Sequence, residues 1–155
     1  MHLVSLIKRA LTVSEVHAHC DIPCGIYDPI AAKIAAQTVQ KMVMRIEALD
    51  AASCDASSGN SFSRYVAVKE EHAQHVKDEI SLLWSDYFKP EHVEKYPDLH
   101  EKVWNTLKLA GQCKQTVDLD ASKRLVGSVD EVAAIFWATK GVEYSDPVAD
   151  VRFGT

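Results

Sequence analysis

DPIAAKIAAQTVQKMVMRIEALDA, from Asp28 to Ala51, is the stretch on which the fold turns. Ile30, Ile34, Met42, Ile46 and Leu49 recur at helical spacing. Asp28 followed by Pro29 makes a good cap and first-turn pair, because the carboxylate accepts from a free amide and the proline needs no partner for an N–H it lacks. The run predicts a helix from about Pro29 to Ala51. Its apolar stripe needs other helices to cover it, and three more segments offer them. AASCDASSGN, residues 51–60, reads as a Ser/Gly/Asn loop. From about Phe62 to Phe88 a second stripe carries Tyr65, Val68, Val76, Ile80, Leu83 and Tyr87, with Lys69, Glu70, Glu71, Lys77, Asp78 and Glu79 read as the solvated face. Pro90 ends it, and KPEHVEKYP, residues 89–97, reads as a polar connector. From about Asp98 to Gln115, Leu99, Val103, Leu107 and Ala110 are in register. From about Ala121 to Lys140, Leu125, Val129, Val132 and Phe136 form the last stripe, with Gly127 an interior weakness and Gly141 a C-terminal stop. The tail GVEYSDPVADVRFGT, residues 141–155, has no period and is expected to be mobile. The chain therefore reads as all-α, an antiparallel up-down four-helix bundle over about 29–140.

Composition narrows the function. The 155 residues are enough for one domain with a core of its own. A formal net charge of −5, without a basic stripe interleaved with aromatics, argues against nucleic acid and anionic lipid as partners. No apolar run approaches the ~18 residues of a membrane span. Cys54 and Cys113 are isolated and read as small apolar residues.

Cys20 and Cys24 differ, because HAHCDIPCGIYDP, residues 17–29, sets them four apart beside His17 and His19. On spacing alone a Cys-x-x-x-Cys pair is half a zinc site, a thiol pair, or nothing. A structural zinc needs two further ligands, and His17 and His19 supply them if the chain is uncut. The di-metal site common in bundle cores is excluded, since no glutamate has a histidine three residues later. His72 and His75 share a helix face and with Glu79 offer a weaker metal-binding set.

MHLVSLIKRALTVSEVHA, residues 1–18, is weakly amphipathic with Lys8 and Arg9 in its middle. The charges interrupt what an export signal would keep apolar, yet Val16 and Ala18 sit where a small-residue cleavage site would place them. Cleavage after Ala18 frees the His19 amine. An amine, the Cys20 amide nitrogen and two thiolates then suit the square plane that Ni(II) favours, with the His19 imidazole free for an axial position. Pro23 and Gly25 help bend Cys24 back to the same centre.

HCDIPCGIYDP, from His19 to Pro29, resembles the metal-binding hook of the nickel superoxide dismutases. LLWSDYFKPEHVEKYPDLHEKVWNTLK, residues 82–108, and IFWATK, residues 135–140, are similar to the same family. The resemblance covers His19 to about Lys140. It implies residues 1–18 as a propeptide, removed by a dedicated peptidase between Ala18 and His19, and residues 19–155 as the dismutase domain with its hook at 19–27. It implies one nickel ion per subunit, held by the amine and imidazole of His19, the amide nitrogen and thiolate of Cys20, and the thiolate of Cys24. It further implies superoxide as substrate, a Ni(II)/Ni(III) cycle, a homohexamer with hooks ordered against neighbouring subunits, and a cis bond before Pro23.

By the same resemblance Tyr27 stands over the open face of the metal, as the catalytic residue that orders a water or an incoming anion. Tyr87 and Lys89 lie near the site, Lys89 as an attractor of small anions. Asp21 is assigned to hold the hook by local hydrogen bonds. The glutamate and arginine that hold the axial imidazole in some members correspond here to Ala35 and His72, so His72 is expected to take the orienting role. The competing reading is a non-catalytic zinc or copper protein using uncut His17, His19, Cys20 and Cys24. Reduced thiols and the interrupted leader pattern point to the cytoplasm.

Overall fold

A computed structural model describes residues 25–49 and 55–154. The hook residues His19, Cys20, Asp21 and Cys24, the bond before Pro23, the segment 1–18 and Cys54 lie outside the described residues. Four long helices form the bundle: α1 (Ile30–Glu47), α2 (Ala56–Leu82), α4 (Leu99–Gln115) and α5 (Leu119–Thr139). Two short ones join them, α3 (Pro90–Lys95) and α6 (Ala149–Phe153). Each long helix packs on its neighbours in chain order, and α5 closes the ring against α1. The antiparallel bundle expected from periodicity is therefore the fold.

The core is a column of side chains from all four helices. Leu125, Val129, Val132 and Phe136 of α5 are fully buried, as are Val76 and Ile80 of α2 and Leu99 and Ala110 of α4. The α1 stripe differs from expectation. Ala32, Ala35, Ala36, Val39, Val43 and Ile46 face inward, while Ile30 and Ile34 remain 36% and 43% exposed. The inward face of α1 is thus mostly alanine and valine, with Ile46 the one isoleucine of the expected stripe that is buried.

Several further expectations are corrected. The loop read over 51–60 is helical from Ala56, because the Asp55 carboxylate accepts from Ser58 N–H at 2.6 Å. That bond holds the Asp55 pKa below the ordinary carboxylate value. A good cap thus overrides Ser57, Ser58, Gly59 and Asn60 as breakers. The 89–97 connector contains α3. Lys69, assigned to the solvated face, is 2% exposed. Its Nζ donates to the carbonyls of Cys113 at 2.5 Å and Lys114 at 2.8 Å, closing the C-terminal end of α4. A cation at that end also meets the negative pole of the helix.

The tail is docked rather than loose. Tyr144 Oη donates to Asp130 Oδ1 at 2.9 Å, and Asp130 also pairs with the buried Lys33 of α1. Gln37 of α1 donates to the Ala149 carbonyl at 3.0 Å and accepts from Arg152 at 2.9 Å. Lys41 donates to the Gly154 carbonyl at 2.7 Å and lies over the Phe153 ring. Polar residues of α1 that periodicity leaves unassigned are the anchors of the tail.

Candidate functional site

The chain leaves the hook through Gly25, whose φ of +72° is a left-handed conformation that favours glycine. Tyr27 follows outside any helix, and Asp28 turns the backbone into α1 by accepting from Ile30 N–H at 2.9 Å. At the same end of the bundle, α2 relaxes into a π-helical turn, Leu83–Tyr87, closed by Phe88 N–H to the Leu83 carbonyl at 2.9 Å. Such turns re-aim side chains by inserting an extra residue. Here the turn carries Tyr87, whose ring lies 5.5 Å from that of Tyr27.

Tyr87 is the centre of the cluster. Its ring packs 4.5 Å from Phe136 and 5.4 Å from Phe88, and stacks on His92 at 5.6 Å. Thr139 donates to the Phe136 carbonyl at 2.6 Å, so Thr139 Oγ1 accepts from Tyr87 Oη, also at 2.6 Å. The Tyr87 proton is thereby committed to the bundle. Lys140 lies 5.1 Å above both the Tyr87 and Phe136 rings. Lys89 donates its backbone N–H to His92 Nδ1 at 3.2 Å and its carbonyl accepts from His92 N–H at 2.9 Å, an arrangement at the start of α3 that leaves His92 Nε2 as the protonated nitrogen of the neutral ring.

These groups enclose an open cleft of about 340 Å³ lined by Gly25, Tyr27, Asp86, Tyr87, Lys89 and His92. Three residues singled out from sequence, Tyr27, Tyr87 and Lys89, are brought together there. His92, Thr139 and Lys140, given no role by the sequence reading, join them. His92 lay in the supposed connector and the other two at a helical end, all three inside stretches that resemble the family but without an individual role. The cleft is wide enough for a small anion with water, and Lys89 puts a cation on its rim.

His72 is placed elsewhere. It stands fifteen residues before Tyr87, roughly 22 Å along the helix at 1.5 Å per residue. Its Nδ1 lies 3.0 Å from the Val68 carbonyl and must donate to it, which leaves Nε2 as an acceptor. Its ring meets His75 edge-on at 5.3 Å. Ala35 is buried in the core. Among the described residues no group of three His, Cys, Asp or Glu is arranged to hold a metal ion, so His72, His75 and Glu79 do not form such a set. Cys113 is a buried thiol, as its isolation suggested, and burial pushes its pKa up to about 11.

A four-helix bundle whose aromatic and cationic cleft opens where the described chain enters α1 defines a class: all-helical proteins with the candidate site at one end of the bundle rather than in its core. The family profile of nickel-containing superoxide dismutases matches residues 14–140, and the chain belongs to that family. The superoxide dismutase [Ni] of Streptomyces coelicolor is 38% identical over 138 residues, which cover 89% of this chain and 98% of the relative. That of Streptomyces seoulensis is 36% identical over 126 residues, 81% of this chain and 91% of the relative. A solved native nickel superoxide dismutase superposes with a TM-score of 0.68 at 38% identity, covering 79% of this chain and 99% of that one.

Proposed function

We propose that this protein is a nickel-dependent superoxide dismutase that becomes competent when the chain is cut between Ala18 and His19. The observation that carries the reading is the family match from residue 14 to residue 140, which runs through the whole HCDIPCGIYDP hook. The donor set fits the metal: one amine, one amide nitrogen, one imidazole and two thiolates are the ligands a redox-active nickel ion needs, and all come from His19, Cys20 and Cys24. When bound, one nickel ion per subunit supplies the Ni(II)/Ni(III) couple by which one superoxide is oxidised to dioxygen and a second is reduced to hydrogen peroxide with uptake of two protons.

The remaining work falls to the chain. Lys89 draws a small anion toward a protein of net negative charge. Tyr27 acts at the mouth, where its hydroxyl orders water or the incoming anion and its ring limits access to small species. Tyr87, clamped by Thr139 and the packed rings around it, is the wall that fixes Tyr27. Asp21 steadies the hook by accepting backbone N–H bonds. His72, with Nε2 available as an acceptor, orients the His19 imidazole. The hooks seat against neighbouring subunits, with a homohexamer as the form. A dedicated peptidase frees the amine, and the enzyme protects the cytoplasm, since charged superoxide crosses membranes poorly. Among the described residues no helix is long and apolar enough to cross a membrane. The zinc or copper alternative gains no support from the relatives.

The test is superoxide consumption after nickel loading, comparing protein that begins at His19 with the longer chain. Activity confined to the cut protein is expected. Absence of activity in both, with nickel uptake verified, refutes the reading.

A further inference from the structure

The family match ends at residue 140, yet the residues beyond it build a second cleft, of about 250 Å³, on the outer face of the bundle. Ile30, Trp137 and Val142 give it an apolar lining, and Asp28, Glu143 and Asp146 an acidic one. The nearby cations are already engaged. Lys33 pairs with Asp130, and Arg152 donates to Asp146 Oδ1 at 2.6 Å and to Gln37. The Asp146 side chain is nine-tenths buried, and among the described residues its Oδ2 has no hydrogen-bond partner. That oxygen is closed to solvent, so the charge the cleft presents to a ligand comes from the exposed carboxylates of Asp28 and Glu143. The cleft therefore asks for a ligand that is apolar along its length and cationic at one point.

Residues 1–18 have that character. Leu3, Val4, Leu6, Ile7 and Leu11 surround Lys8 and Arg9, and Glu15 is the single carboxylate. They are also tethered beside the cleft, because Asp28 and Ile30 on its wall lie only ten and twelve residues past Ala18. Ten extended residues span up to about 33 Å, ample for the chain to turn back. A short tether also raises the effective concentration to roughly millimolar, so a modest contact suffices.

We propose that this cleft is the docking site for residues 1–18 of the same chain. Lys8 and Arg9 meet the exposed carboxylates of Asp28 and Glu143, and the flanking aliphatic residues lie on Ile30, Trp137 and Val142. The C-terminal tail is thus a cradle for the N-terminal segment, holding it while the chain is uncut. The docking stands without the dismutase reading; its use in presenting the Ala18–His19 bond rests on that reading.

The experiment is limited elastase digestion of the nickel-free full chain, with cuts inside residues 1–18 followed by mass spectrometry. The segment is expected to be protected. A K8E/R9E chain should be cut about tenfold faster, the loss expected when a charge-assisted contact is removed. Glu143→Lys, which leaves the digested sequence unchanged and replaces an exposed side chain, should do the same. Combining K8E with E143K should restore protection. Equal rates in all four chains overturn the proposal. So does protection that rises with protein concentration, because the occupant is then another copy. No nickel or superoxide enters the assay, so its failure leaves the proposed function untouched.

Discussion

Two buried residues that face each other, Lys69 and Cys113, carry opposite pH signatures. Burial raises the Cys113 thiol from its ordinary 9.0 to about 11. The folded state then holds the proton more tightly than the unfolded chain, so the contribution is complete below pH 9 and is lost as pH rises toward 11. Burial lowers the Lys69 pKa from its ordinary 10.5. Its sign is reversed, with stability gained as pH rises through the folded value toward 10.5. In Cys113→Ala the alkaline loss between pH 9 and 11 should shrink, which urea unfolding at stepped pH reads directly. Lys69→Met should lower the unfolding free energy by about 1–3 kcal/mol, because two helix-end carbonyls lose their donor. At the hook boundary, Gly25→Ala should weaken nickel retention without changing the melting temperature. Nothing blocks the new methyl group, but a φ of +72° is strained for alanine.

Helix ends respond to single caps. The Asp118 carboxylate accepts from Ala121 N–H at 2.9 Å and starts α5. Asp118→Ala should cost about 1 kcal/mol in thermal or urea unfolding. Gly127 in the middle of α5 is exposed, with open space around it. Gly127→Ala should therefore stabilise the bundle by roughly 0.5–1 kcal/mol, because alanine loses less backbone entropy on becoming helical. These positions also show what was legible at this scale. Helices with long apolar runs, α4 and α5, were placed almost to the residue. The start of α2 was missed because its opening turn is made of poor helix formers, and a single side-chain bond from Asp55 decides it. The short helix α3 was missed for the same reason, as its first turn is closed by His92 rather than by a conventional cap.

At the scale of the whole molecule, the tail ties to α1 through Gln37, Lys41 and the Lys33–Asp130–Tyr144 network. Ending the chain at residue 140 should lower the melting temperature and leave Asp130 without its tyrosine. Nickel-loaded activity of protein beginning at His19 should persist, since no tail residue lines the cleft around Tyr27 and Tyr87. Loss of both would place the tail inside the reactive site.

The sequence by itself determined the four helices, the antiparallel bundle and the family, because periodicity and a dense local motif are encoded in neighbouring residues. That Tyr27, Tyr87 and Lys89 lie near one another was anticipated from the family resemblance, and they line one cleft. Only the tertiary structure decided which face of α1 is buried, since burial falls on Ala32, Ala35, Ala36 and Val39 while the larger Ile30 and Ile34 stay exposed. Only it could bring His92, Thr139 and Lys140 to Tyr87, or turn Lys69, Gln37 and Asp130 into buried anchors. Their partners lie tens of residues away, and a polar side chain becomes structural only when another segment arrives to accept its hydrogen bond.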